Sequence, residues 1–283
     1  MANLVKTIIG GDDFQTEILV RGLTVYGPAD AYVVGHCSEK LGNKLQSRYG
    51  VRFVKNIIEL VPNSAIVFLA FNPADATNLL ARIAEKVNDW SLIVSTIHGL
   101  KIETLQYFFK NNEIVRFALN PSIISGEGLG AYALSKNAST DANSMAQIVL
   151  KSCGDVIAVK NEYELEEIEH FLTANTYLSY VVIQAMIQSA KQVGMEPKEA
   201  ALAVKKLLNG SIKTMIDHGN DSADLIRRAV QDKDIQTEAA ELMQNYGLSE
   251  TLMQKLTAPP PDEEPTDPSE DPKNFRMHYQ WGH

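Results

Sequence analysis

The sequence predicts an α/β protein: a Rossmann-type, doubly wound parallel sheet followed by an all-α domain. Three observations predict it. Short apolar runs alternate with helical patterns through the first half of the chain. The stretch Val5–Leu23 (VKTIIGGDDFQTEILVRGL) sets an apolar strand, two glycines and an amphipathic helix in succession, the outline of a dinucleotide-binding turn. From about residue 161 the strand patterns stop and long helical ones take over.

In chain order, Val5–Ile9 reads as a buried strand and Gln15–Leu23 as a helix with Ile18, Leu19 and Leu23 on one face. Ala31–Gly35 is the second strand. Ser38–Tyr49 is a helix, with Ser38 placed to cap it and Gly50 to stop it. Val51–Val54 is a strand, and Asn56–Val61 a short helix closed by Pro62 and Asn63. Ser64–Phe71 (SAIVFLAF) is apolar almost throughout, so both its faces are expected to be buried. Asn72-Pro73-Ala74-Asp75 opens a helix running to Val87. Ser91–Ser95, the helix Leu100–Phe109 and the strand Ile114–Leu119 follow. Tyr132–Leu134, a helix around Ala142–Lys151 and Val156–Val159 complete a first domain, residues 1–160.

Tyr163–Val193 keeps a helical period over a length of roughly 45 Å, with Leu165, Ile168, Leu172, Leu178, Val182, Ala185, Met186 and Val193 recurring. One small domain cannot bury such a face, so residues 161–257 are expected to form a helical homodimer core. Pro197 opens a helix to about Ile216, and shorter helices are expected at Ser222–Val230, Ile235–Tyr246 and Ser249–Leu256. Residues 258–283 change character. Ala258–Pro272 (APPPDEEPTDPSEDP) has nothing to bury and is expected to be disordered. In the terminal stretch Phe275, Met277, Tyr279 and Trp281 alternate with polar residues, a strand period suited to docking on a protein partner.

Composition narrows the function. With 283 residues, a net charge of −9 and a pI near 5.2, the chain lacks the basic face that nucleic acid or anionic lipid requires. No apolar run reaches the ~18 residues of a membrane span, and the start MANLVKT does not read as a signal peptide. Cys37 and Cys153 form no metal-spaced set and fit a reducing cytoplasm.

The turn itself departs from its outline. A phosphate-binding G-x-G-x-x-G needs its second glycine for backbone approach to the diphosphate and its third for helix–strand packing. Counted from Gly10, those positions hold Asp12 and Gln15, and Asp13 adds a second carboxylate. The second strand ends in Gly35-His36-Cys37-Ser38, without the acid that binds a ribose diol. A surviving preference would therefore be for a phosphorylated cofactor, with His36, Ser38 or Lys40 near its phosphate; His36 as a plain loop residue is the competing reading. Ligands of such sheets bind beyond the carboxyl ends of the strands. The candidate cofactor contacts are accordingly Gly10, Gly11, Asp12, His36, Ser38, Ala70, Asn72, Pro73, His98 and Asn120.

The series IIGGDDFQTEILVRGL, VFLAFNP, VSTIHGL and RFALNPSIISGEGLGAYALS, followed by a long helical half, resembles the pyrroline-5-carboxylate reductase family from about Val5 to Leu256. Ala70-Phe71-Asn72-Pro73 falls at the family's A-V-K-P, Ile97-His98-Gly99-Leu100 at its A-A-G-I, and Arg116, Asn120 and Gly126-Glu127-Gly128 match its R-x-M-P-N and G-E-G. The resemblance implies a Rossmann domain, a helical dimerisation domain, a nicotinamide cofactor (NADP or NAD) and reduction of a cyclic imine to proline.

The departures fall where that chemistry belongs. The family's G-x-G-N-M-G reads Gly10-Gly11-Asp12-Asp13-Phe14-Gln15. Its S-G-S-G-P reads Thr173-Ala174-Asn175-Thr176-Tyr177, and its carboxylate-holding S-P-G-G-T-T reads Asp232-Lys233-Asp234-Ile235-Gln236-Thr237. Thr237 alone is a candidate to survive in place. His98, at a strand carboxyl end, is a candidate acid or base with no carboxylate partner identifiable by spacing. Glu164, Glu166, Glu167 and Glu169 read as a solvated face that complements the helix dipole. Two functions remain open. One is a dimeric scaffold or binding protein with reduced or lost imine reductase activity and an empty cofactor site. The other is an NAD(P)H-dependent oxidoreductase with an altered turn and substrate.

Overall fold

The computed structural model describes residues 5–25, 32–125 and 128–217. They fall into two compact units, divided between Leu172 and Thr173.

The first unit is built on one eight-stranded sheet of order β3-β2-β1-β4-β5-β6-β7-β8. The strands are β1 Val5–Gly10, β2 Tyr32–Gly35, β3 Arg52–Phe53, β4 Ser64–Ala70, β5 Leu92–Ser95, β6 Ile114–Ala118, β7 Leu129–Leu134 and β8 Asp155–Ala158. All neighbours pair in parallel except β6 and β7, which are antiparallel. The sheet is thus mostly parallel rather than wholly so.

The helices are α1 Asp13–Val25, α2 Glu39–Tyr49, α3 Ala76–Ala84, α4 Ile102–Phe108 and α5 Thr140–Leu150. Two apolar clusters cover the sheet's two faces. One gathers Ile8, Leu19, Leu23, Phe68 and Val94; the other gathers Ile9, Val67, Leu69, Leu80 and Ile93. Neighbouring residues of β1 and β4 fall in opposite clusters, as a period of two requires. Every residue of β4 is buried, as its unbroken apolar run foretells.

Local signals account for several boundaries. Ser38 Oγ accepts the Leu41 amide at the start of α2, and Gly50 ends that helix at φ 74°. The segment after β3 is corrected by the structure: it is a 3-10 helix, Ile57–Asn63, that runs through Pro62 instead of stopping before it. A 3-10 turn, wound more tightly than an α-helix, makes i→i−3 bonds, so proline breaks no i→i−4 bond there.

α6, Glu162–Gln192, begins in the first unit and continues into the second, where α7, Pro197–Asp217, follows. In the second unit Thr176, Ala200 and Val204 are buried. Tyr177, Tyr180, Val181, Leu202, Leu207, Ile212 and Ile216 stand exposed on the single chain. The helices expected after residue 217, the acidic stretch and the terminal aromatic alternation lie outside the described residues. Among the described residues no helix is long and apolar enough to cross a membrane.

Candidate functional site

Parallel strands end on one edge, so the carboxyl ends of β1, β2, β4, β5 and β6 share a crevice. The order switches between β1 and β4, the place where open sheets of this kind take ligands. Gly10 closes β1 opposite Ala70 of β4, and Asn72 and Pro73 follow in the next turn. Gly11 has no room for a side chain, since a Cβ there would lie 2.5 Å from Phe71 Cβ. The ring of His36 lies near the same spot, its Cδ2 3.8 Å from that position, on a backbone at φ 56°.

The first turn of α1 points its free amides into this crevice, the feature that makes such a terminus an anion site. Here the chain fills it with its own carboxylate. Asp12 Oδ1 accepts the Gln15 amide at 2.9 Å, and the Asp12 carbonyl accepts both Thr16 N–H at 2.9 Å and Thr16 Oγ1–H at 2.6 Å. Gln15, where a glycine would pack helix against strand, is partly buried and leaves its side-chain oxygen without a hydrogen bond.

The first turn of α2 is filled in the same way. Ser38 Oγ donates to Asp13 Oδ2 at 2.8 Å, and the Ser38 amide donates to Asp13 Oδ1 at 3.4 Å. Between them, Cys37 is pushed up to about 11 by burial first and by the Asp13 charge second. Cys153, in the core, rises to about 12 through burial alone. Neither thiol is a nucleophile at neutral pH.

A second group of charges sits at the ends of β5 and β6. Arg116, on β6, is 3% exposed and is held by three carboxylates of α6. Its Nη1 lies 3.0 Å from both Glu162 and Glu166, and its Nη2 3.3 Å from Glu169. Glu162 also accepts the Ile102 amide that opens α4. Desolvation works against the guanidinium charge, and Glu169, Glu166 and Glu162 outweigh it. Glu169 reaches on to His98, with Oε1 2.9 Å from Nδ1. That hydrogen bond raises the His98 pKa above the ordinary 6.5, against a smaller opposing effect of burial. Asn120, 5% exposed, bonds the Leu172 carbonyl with its amide and the Ser122 N–H with its oxygen.

Two expectations are corrected here. His98 has a carboxylate partner, supplied from 71 residues away. The glutamates that open α6 are not simply a solvated face, because Glu166 and Glu169, with Glu162, neutralise a buried arginine. Only Arg116 gave a signal in the sequence: a cation inside an apolar strand calls for acids elsewhere. Thr237, Asp232 and Asp234 lie outside the described residues, as do Gly126 and Glu127.

The sheet order, its crevice and the appended helices define a Rossmann-type oxidoreductase scaffold with a helical second domain. Residues 7–99 match the family described as NADP oxidoreductase, coenzyme F420-dependent, and residues 174–259 match pyrroline-5-carboxylate reductase dimerisation. In both halves the chain is thus similar to proteins of the pyrroline-5-carboxylate reductase family. It is 24% identical over 213 residues to pyrroline-5-carboxylate reductase 2 of Bacillus subtilis, covering 74% of this chain and 76% of that one. The Aquifex aeolicus enzyme is 22% identical over 230 residues, covering 81% and 84%. The fold is shared with Plasmodium falciparum pyrroline carboxylate reductase, solved with NADP bound, at TM-score 0.78 and 18% identity over 90% of this chain and 95% of that one. The Coxiella burnetii enzyme gives TM-score 0.73 at 18% identity, over 90% and 96%.

The residues present do not fit the cofactor this fold implies. A diphosphate at the α1 terminus would meet the Asp12 carboxylate already bonded there.

Proposed function

We propose that this chain is a dimeric member of the family in which imine reduction is reduced or lost, and that it acts as a scaffold or binding protein. The Asp12 carboxylate on the first turn of α1 carries the reading. Like charge at the diphosphate position opposes NADP and NAD alike, and the glycines that would admit them are absent. Of the proposed cofactor contacts, Asp12 and Ser38 are spent on internal bonds, and Asn120 ties the end of β6 to α6.

The dimer is supported by the match of residues 174–259 and by the exposed apolar residues of α6 and α7. Two free thiols suit a cytoplasmic site. The alternation Phe275, Met277, Tyr279, Trp281 is the proposed contact for a protein partner. The test is turnover of pyrroline-5-carboxylate by the purified chain with saturating NADH or NADPH. No turnover is expected; a rate of about 1 s⁻¹ or more, ordinary for an enzyme, would overturn the reading.

A second reading is favoured by one observation. His98, 64% exposed in its side chain and bonded to Glu169, stands at the crevice edge with its pKa raised by that hydrogen bond. That is the equipment of a general acid, and suits an oxidoreductase with an altered turn and a different substrate.

A further inference from the structure

We infer that a cavity between the last turns of α1 and α2 binds a phosphate group, as the free ion or as a small phosphate monoester, through Arg21 and Arg48. The cavity lies outside the crevice, at the far ends of the two helices that start there. The inference therefore stands whether or not the crevice takes a cofactor.

Asp13, Glu17 and Arg21 follow one another at intervals of four, so they share one stripe of α1. The first two join α1 to the α2 segment through an anion. Asp13 accepts both Ser38 donors, and Glu17 accepts Lys44 Nζ at 2.8 Å and the Tyr49 hydroxyl at 3.4 Å. The third member of the stripe is a cation. Arg21 lines a cavity of about 350 Å³ together with Thr24, Tyr49 and Arg48, which follows Lys44 by one turn of α2. Neither guanidinium has an ion pair among the described residues. The anion-bridged contacts between the two helices thus end on two cations and a cavity.

Like charges on one cavity repel unless an anion is shared between them. Arg48 is already oriented, because its Cζ lies 5.5 Å from the centroid of the Tyr49 ring. The groups that would oppose an anion are met elsewhere. Thr24 Oγ1 donates to the Val20 carbonyl at 2.8 Å and the Arg21 carbonyl at 3.2 Å, and the Gly50 amide covers the Gln46 carbonyl. The acid bonded to Tyr49 is Glu17, whose charge Lys44 offsets. A carboxylate has two oxygens and fills one guanidinium fork, whereas a phosphate dianion has enough for two. The volume falls at the lower end of small-molecule sites, roughly 300–1,000 Å³.

The test is a titration of the full chain with inorganic phosphate and with glycerol 3-phosphate, followed by amide chemical shifts in a phosphate-free buffer. Saturable shifts are expected, concentrated around residues 21–24 and 46–50. Tighter binding of the ester identifies a phosphorylated small molecule as the ligand, and tighter binding of the ion identifies phosphate itself. Arg21→Gln and Arg48→Gln should each weaken binding about tenfold. Arg48→Lys, which keeps the charge and loses the fork, should weaken it as well. Lys86→Gln removes an exposed charge far along the chain from the cavity and should change affinity by less than about twofold. A loss in Lys86→Gln as large as in the arginine variants would mean general attraction to a cation-bearing surface and would overturn the inference. So would acetate binding as tightly as phosphate, or no saturation by either probe. Imine reductase turnover is a separate readout, so either conclusion can fail without the other.

Discussion

Replacing Asp12 with Asn changes one charge and little else. Asparagine caps a helix as well as aspartate does, so the bond to the Gln15 amide at 2.9 Å can persist. What disappears is a unit negative charge at the place a phosphate oxygen would occupy. A phosphorus atom kept about 5 Å from that carboxylate, in surroundings of effective permittivity about 40, meets about 1.7 kcal/mol of repulsion per unit charge. A diphosphate with two charges meets about 3.3 kcal/mol, more than two powers of ten in affinity. Screening at physiological salt reduces this, and a gain of at least tenfold should remain. The assay is fluorescence titration of NADH into wild type and Asp12→Asn at low and moderate salt. Thermal melts alongside should agree within the ~0.3–1 kcal/mol that a helix-terminal charge contributes. Unchanged NADH affinity with an intact fold would refute the electrostatic argument, and would place the obstruction with Phe71, His36 or Gln15 instead.

Other outcomes follow from the same geometry. Arg116→Met should destabilise the chain by about 3 kcal/mol, because three carboxylates lose their buried counter-charge; urea denaturation measures it. His98 has a raised folded pKa, so its pairing with Glu169 stabilises fully below the unfolded value of about 6.5 and fades as pH rises through the folded value. The stability difference between wild type and His98→Gln should therefore shrink as pH rises above about 6.5, by no more than about 1 kcal/mol at so exposed a side chain. A difference that grows with pH would contradict this. Val181→Glu, at a position 67% exposed on the single chain, should shift the dimer toward monomer in sedimentation without lowering the helical signal. An unmoved dimer would take Val181 out of the interface.

Most of the fold was legible because local physics decides it. The unbroken apolar run of β4, the Ser38 cap and the Gly50 stop each carry their cause within a few residues. The period of α6 and the proline at the start of α7 do so too. The antiparallel β7 was less visible. Its residues Leu129–Leu134 are mostly apolar, and nothing local gives strand direction. The site was half legible. Asp12 and Gln15 announced the altered turn by residue type alone. Pairings that join distant segments, Asp13 with Ser38 and Glu169 with His98, were hidden, because each charge also reads as a surface residue of its own helix.

The reversal at β7 decides where the chain goes next. Had β7 run with β6, the strand after it would have ended at the crevice edge, and a helix leaving it would have turned down and away. Because β7 runs against β6 and β8 follows β7, β8 finishes away from that edge. α6 therefore climbs toward it, meeting Arg116 first and then His98, and reaching Asn120 at Leu172. One change of strand direction thus makes the helix that leads into the second unit also a wall of the first unit's crevice. Insertions in the β6–β7 connection would leave that wall standing; a residue added between β8 and Glu162 would rotate every acid on it by about 100°.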